Sequence, residues 1–320
     1  MLTSVSDLLV APWTNAVVST AVRLDVFSIC SGSLMTVDGI ASRCGALPNR
    51  LERLLDACSA MGFLVRKDGK YMNTHFSSVY FVEGEPLYVG DLIKLQYNES
   101  RQWDTLYAVI LGSDTRVEDS QETRHRIFIK AMHNLGSLGE AEALAKAVDL
   151  SSCTRMIDAG GGSGIYSVAL CRAYPRLNAT ILDKKETLVI TTEMLSNYEE
   201  SNRITLREAD IEKDSFGEDI DAVLLSDVIY NVSTAELVFR NVRGCLRKKG
   251  QLILRGYYAD PEHANPLFGA LFRAGELVFD PDRRVPTLSL LEEKVLASGF
   301  SIIRKAPLTE RSFIVIAEKK

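Results

Sequence analysis

The sequence predicts an α/β protein in which a Rossmann-like domain follows a mainly α-helical one. Short apolar segments ending in an acid recur from residue 156 onward, and a glycine-rich turn follows the first of them. Before residue 150 the apolar residues recur at helical spacing instead. The chain has 320 residues, 46% of them hydrophobic, enough for two cores. The expected division is a winged-helix-like domain over residues 1–85, a helical linking region over 86–149, and a sheet domain over 150–320.

In the sheet domain, Met156-Ile157-Asp158 reads as a strand running into the turn Ala159-Gly160-Gly161-Gly162-Ser163-Gly164, and Tyr166 to Cys171 begins an apolar helix. Gly160, Gly162 and Gly164 let the backbone turn tightly and approach a ligand, with the helix N–H groups facing the loop. The spacing is G-x-G-x-G behind an acid, which is not the G-x-G-x-x-G of dinucleotide sites. Asp183 closes the apolar run Ala179 to Leu182, where an acid about 20 residues beyond the glycines can hold ribose hydroxyls. Ile204 to Glu208 leads to Asp210-Ile211, and Asp221–Ser226 and Gln251–Leu254 read as two further strands.

From about residue 10 onward, the chain resembles the small-molecule O-methyltransferase family of plants and bacteria, which carries a dimerisation domain ahead of a domain that binds S-adenosylmethionine (SAM). The matching segments are D-A-G-G-G-S-G at 158–164, Asp183, A-D-I at 209–211, L-L-S-D-V-I-Y at 224–230, K-K-G-Q-L-I-L at 248–254 and A-S-G-F at 297–300. The resemblance implies SAM as cofactor, held by Asp158, Gly160, Gly162, Gly164, Asp183, Asp210, Ile211 and Ser226. Asp158 would attract the cationic methionine portion, Asp210 would face the adenine amino group, and Ile211 would pack on the ring. The resemblance also implies a homodimer formed by the amino-terminal domain. It places Phe128 and Met132 beside the methyl donor with His133 pointing into the site, and it places Phe268 and Phe272 on a helix that caps the acceptor pocket.

The chain departs from that family where proton transfer is expected. The family's His-Asp-Trp after the fourth strand is Tyr230, Asn231 and Val232 here, and its two supporting glutamates fall on Gly256 and Val285. Tyr230 and a relocated His133 are therefore the candidate catalytic side chains, with Asn231 lining the acceptor. A phenol with an ordinary pKa near 10 is a weak base at neutral pH. SAM carries its own activation, so alignment and desolvation suffice for an acceptor that is already acidic or nucleophilic. Arg255, Tyr257, Tyr258 and His263 follow the fifth strand and suit an anionic or aromatic acceptor. The expected function is methyl transfer to a small aromatic or conjugated molecule through oxygen, carbon or nitrogen. The alternative is a SAM-binding protein of the same fold that catalyses decarboxylation, hydroxylation or rearrangement.

Net charge and composition narrow the partners. A net charge of −5 without a basic face argues against nucleic-acid binding. In the first domain, helices over Ala11 to Ile29, Val37 to Gly45 and Arg50 to Met61 precede a hairpin over 63–73, a winged-helix order. Its presumed recognition helix carries Arg50, Glu52, Arg53 and Asp56, whose charges cancel. That disfavours a transcriptional regulator. Helices are also expected at Val89 to Leu95 and Trp103 to Leu111, with Trp103, Tyr107 and Ile110 packed into the core. The chain contains no transmembrane segment, and Met1 to Pro12 lacks a secretion signal. Six scattered cysteines without a C-x-x-C pair fit reduced thiols in the cytoplasm, and no metal motif is present.

Overall fold

In the computed structural model, residues 5–112, 121–229, 232–258 and 287–320 are described. Tyr230, Asn231, His263, Phe268, Phe272 and Val285 lie outside the described residues. The chain forms two units, one made of residues 1–101 and 120–135, the other of 102–119 and 136–320.

The first unit contains α1 (Val5–Arg23), α2 (Val26–Ile29), β1 (Met35–Thr36), α3 (Val37–Cys44), α4 (Pro48–Ala60), β2 (Leu64–Lys67), β3 (Lys70–Asn73), α5 (His75–Tyr80), most of α6 (Gly90–Trp103) and, after α7 (Leu106–Ile110), the helix α8 (Gln121–Leu135). Local chemistry sets these boundaries. The Thr36 hydroxyl accepts the Gly39 N–H at the start of α3, Gly45 ends that helix at φ 70°, and Pro48 opens α4 without a donor to satisfy. Asp68 and Gly69 both have positive φ (50° and 72°), the conformation that a two-residue hairpin turn requires between β2 and β3. Phe27, Ile40, Leu55, Cys58 and Tyr71 form the buried core of this unit. The two acids of α4 bind Arg66 of β2, at 3.0 Å from Glu52 and 2.8 Å from Asp56, and Asp56 also accepts the Tyr71 hydroxyl at 2.6 Å.

One expectation fails in the helical region. Trp103, Tyr107 and Ile110 are not core residues: they are 38%, 78% and 67% exposed. Trp103 ends α6, and the turn at Asp104 and Thr105 breaks the helix before α7 begins at Leu106. The break rotates the following residues off the face that a continuous helix would have presented.

The second unit is built on a seven-stranded sheet with β4 (Arg155–Ala159), β5 (Asn178–Asp183), β6 (Ile204–Glu208), β7 (Ile220–Ser226), β8 (Leu246–Gly256), β9 (Phe300–Pro307) and β10 (Phe313–Lys319), in the order β6-β5-β4-β7-β8-β10-β9. The first five are parallel, and β10 runs antiparallel to both β8 and β9. Besides α7, its α-helices among the described residues are α9 (Ala141–Ala147), α10 (Ile165–Ala173), α11 (Lys185–Leu195), α12 (Val232–Cys245) and α13 (Leu288–Ala297). Alternate residues of the central strands feed two cores. Val223, Leu225, Leu252 and Leu254 join Phe239 and Phe300 on one face, while Ala222, Leu224 and Ile253 join Leu144 and Leu170 on the other. A parallel sheet covered on both faces needs continuous apolar runs, and Ala222 to Leu225 is buried at every position.

The chain leaves β4 toward β5 and β6 and then returns to the opposite side at β7. This reversal opens a crevice at the carboxyl ends of β4 and β7, the usual ligand position in an open α/β sheet. No helix among the described residues is long and apolar enough to cross a membrane.

Candidate active site

The glycine turn lies at the carboxyl end of β4. Gly160, Gly162 and Gly164 have φ of 72°, 54° and 79°, a region that side-chain-bearing residues avoid. Space is restricted as well: a Cβ on Gly160 would lie 2.6 Å from Val228 Cγ1, and one on Gly164 would lie 2.9 Å from Ile181 Cδ1. Gly161 is constrained too, because its Cβ would stand 2.8 Å from Asp158 Cγ. The middle glycine of the G-G-G run therefore keeps room for the acid beside it.

Asp158 is 1% exposed, and Ser167 of α10 donates to its Oδ2 at 2.7 Å. Its Oδ1 is buried and meets no donor among the described residues. Burial pushes this carboxyl up to about 7; the Ser167 hydrogen bond opposes the rise and the Asp183 charge adds to it. A buried carboxyl oxygen with no protein donor fits a ligand that brings its own N–H, as the methionine ammonium of SAM would.

Asp183, at the end of β5, accepts the Gly162 N–H on Oδ2 at 2.9 Å and the Lys184 N–H on Oδ1 at 2.8 Å. The carboxylate is thus fastened to the glycine turn, and each oxygen keeps acceptor capacity for a ribose hydroxyl. Thr191 of α11 fixes the turn from the other side by donating to the Gly162 carbonyl at 2.6 Å.

Asp210 lies two residues beyond β6. Its Oδ1 accepts the Glu212 N–H at 3.0 Å and its Oδ2 accepts Lys213 Nζ at 2.7 Å. The Lys213 hydrogen bond, followed by the Glu212 N–H, holds its carboxyl below the usual range. Ile211 and Val228 pack against the core cluster, and Ile211 Cδ1 would lie 3.9 Å from a Cβ on Gly160. An apolar wall therefore stands beside the glycine turn.

Ser226 ends β7 in register with Arg255. Asp227 follows with φ 55°, and its N–H donates to the Arg255 carbonyl at 2.7 Å. Arg255 itself is 2% exposed. Its guanidinium donates to Glu140 Oε2 at 2.7 Å and lies 4.1 Å from the centre of the Tyr257 ring. Glu140 is fully buried and also accepts the Thr309 and Ser312 hydroxyls, each at 2.5 Å. The structure therefore places Arg255 in a buried ionic network that the sequence did not announce, since Glu140 lies more than a hundred residues away.

Phe128, Met132 and His133 share α8 in the first unit, where Phe128 is 36% exposed and the other two are half-buried. Burial pushes the His133 imidazole down to about 4. Of the four histidines, His75, His125 and His133 belong to the first unit, so the described residues of the sheet unit contain none.

Ser167, Thr191, Gly161 and Val228 complete the site without having been singled out beforehand. Gly161 and Val228 carried a signal, as members of the matching segments at 158–164 and 224–230.

Two family models cover most of the chain. An O-methyltransferase dimerisation domain matches residues 6–83, and an O-methyltransferase domain matches residues 88–270. The chain is 27% identical over 287 residues to a 3-hydroxy-5-methyl-1-naphthoate 3-O-methyltransferase of Streptomyces sahachiroi, covering 86% of this chain and 83% of that one. It is 23% identical over 269 residues to an L-tyrosine C(3)-methyltransferase of Streptomyces lavendulae, covering 78% and 73%. Its fold matches human N-acetylserotonin methyltransferase, solved in complex with SAM, at a TM-score of 0.87 and 22% identity over 98% of this chain and 96% of that one. The chain belongs to the O-methyltransferase family with an amino-terminal dimerisation domain, and it is a SAM-dependent methyltransferase of small molecules.

Proposed function

We propose that the enzyme methylates a small aromatic or conjugated acceptor whose accepting atom is already acidic or nucleophilic, and that it does so by placement rather than through a histidine base. The observation that carries this reading is the contrast within the sheet unit. The acids and glycines suited to SAM converge at one crevice, while Tyr230, Asn231 and Val232 stand where the family carries His-Asp-Trp. In this reading Asp158 takes the methionine ammonium, Asp183 the ribose, Asp210 and Ile211 the adenine end, and Gly160, Gly162, Gly164 and Ser226 shape the floor. Phe128, Met132, Asn231, Phe268 and Phe272 line the acceptor, while Arg255, first expected to line it, is taken up by Glu140 in the buried layer. Tyr230 is the side chain assigned to the reacting centre, and a relocated base at His133 is the alternative that its variant tests.

The same reading makes the first unit a winged-helix dimerisation domain of a cytoplasmic homodimer. A groove of about 490 Å³ lies between α1 and α6, lined by Val10, Ala11, Val18 and Ile93 with Asn15 and Gln96 among its polar residues; Trp13 of α1 is 69% exposed, and surface of this kind suits a second copy.

Incubation with methyl-labelled SAM and a series of hydroxyarenes of graded acidity tests the chemistry. Labelled product and S-adenosylhomocysteine should form fastest with the acceptors ionised at the assay pH. Equal rates with weakly acidic alcohols would sink the reading, because those acceptors need a strong base.

A further inference from the structure

Gly256 ends β8, and Tyr258 folds its ring back over it. A Cβ on residue 256 would stand 2.6 Å from Tyr258 Cζ and 2.9 Å from the phenol oxygen, so no side chain fits there with the ring in this position. Tyr258 is 3% exposed, and its hydroxyl is buried without a hydrogen-bond partner among the described residues. The ring packs in the same apolar cluster as Ile229, against which Val228 and Ile211 also rest, and Val228 is the side chain that meets Gly160. Tyr258 thus belongs to the layer that runs from the glycine turn to the carboxyl end of β8.

A buried hydroxyl without a partner costs free energy, and phenylalanine would fill the same apolar space without that cost. Burial, with the Asp227 charge second, keeps the phenol protonated, so the group is a donor waiting for an acceptor atom.

We propose that the Tyr258 hydroxyl is a specificity-determining donor that hydrogen-bonds a carbonyl or carboxylate oxygen of the methyl acceptor. This rests on the function proposed above, with the acceptor bound at the same end of the sheet, where the carboxyl end of β8 lies beside that of β7. A site built to hydrogen-bond one substrate oxygen discriminates strongly against analogues that lack it.

The test is Tyr258→Phe in the full chain, with two measurements. Thermal unfolding without ligand should give an equal or higher Tm for the variant. A lower Tm would mean that the hydroxyl has a partner inside the fold and would overturn the proposal. Transfer from labelled SAM is then compared for 3-hydroxy-2-naphthoate and 2-naphthol, which differ by the carboxylate. The parent should prefer the naphthoate, and the variant should lose about 10- to 100-fold in kcat/KM for it with 2-naphthol unchanged, the range for a hydrogen bond to a charged group. No preference in the parent, or an unchanged preference in the variant, overturns the proposal alone. No transfer to either arene while SAM still binds sinks the acceptor reading and takes the proposal with it.

Discussion

Ser167 Oγ donates to one carboxyl oxygen of Asp158 at 2.7 Å, while the other oxygen is buried and meets no donor among the described residues. The acid is therefore half-satisfied by the fold. Burial first, with the nearby Asp183 charge, holds its carboxyl up to about 7. A cationic group arriving at Oδ1 favours the carboxylate, so SAM affinity should strengthen as pH rises from 6 to 8, with a proton released on binding. Calorimetry in buffers of different ionisation enthalpy measures both, and an affinity flat across that range would contradict the assignment.

The same group makes a stability prediction. Its folded pKa is raised above the ordinary carboxyl value, so its contribution to stability is complete below that ordinary value and is lost as pH rises through 7. Asp158→Asn should therefore raise the Tm of the ligand-free protein above pH 7, leave it nearly unchanged at pH 4, and weaken SAM binding. Melting curves at the two pH values check it.

Asp183→Ala should weaken SAM binding by about 1–3 kcal/mol, the worth of charge-assisted hydrogen bonds to the ribose. It also releases the Gly162 N–H that the carboxylate holds at 2.9 Å, so the glycine turn loses one of its straps. Titration calorimetry showing parent affinity in the variant would mean that the acid does not hold the ribose.

The Glu140–Arg255 pair predicts a cost that grows when only one partner is removed. Burial alone would raise the Glu140 pKa, but the Arg255 charge and the Ser312 and Thr309 hydroxyls outweigh it and the carboxyl lies below its usual value. Its contribution to stability is present above the unfolded carboxyl pKa and is lost as pH falls through the lowered folded value. Glu140→Gln should destabilise by about 3–5 kcal/mol in urea unfolding at neutral pH, because a buried guanidinium is left uncompensated. Glu140→Gln with Arg255→Met should recover part of that loss, and strictly additive costs would argue against a direct pair.

Tyr230→Phe should leave SAM affinity unchanged and lower kcat by no more than about 10²- to 10⁴-fold, the usual worth of a proton-transferring side chain. His133 is pushed down to about 4 by burial, so it is neutral across the working range. A kcat profile between pH 6 and 9 should accordingly keep its shape in His133→Ala. A group near 6.5 that vanishes in that variant would identify His133 as a relocated base.

Some of this enzyme is decided by local sequence. Alternating and continuous apolar runs specify strands, Thr36, Gly45 and Pro48 set helix ends, and a glycine run behind Asp158 can make only a tight turn with positive φ. These effects act within a few residues, which is why the strand-end acids and the glycine turn were readable from spacing, while the assignment of SAM to them came from the family resemblance. The errors and omissions come from elsewhere. A two-residue turn after Trp103 turned an expected core face outward, as a periodic pattern does not record where a helix breaks. Arg255 finds Glu140 across 115 positions, Ser167 reaches Asp158, and the Tyr258 ring takes the space over Gly256, all through contacts between strands and helices distant in sequence or through a local fold-back. Burial of a charge or hydroxyl is a property of what the rest of the chain packs around it, so the raised Asp158 carboxyl and the Tyr258 phenol without a partner among the described residues belong to the tertiary structure alone.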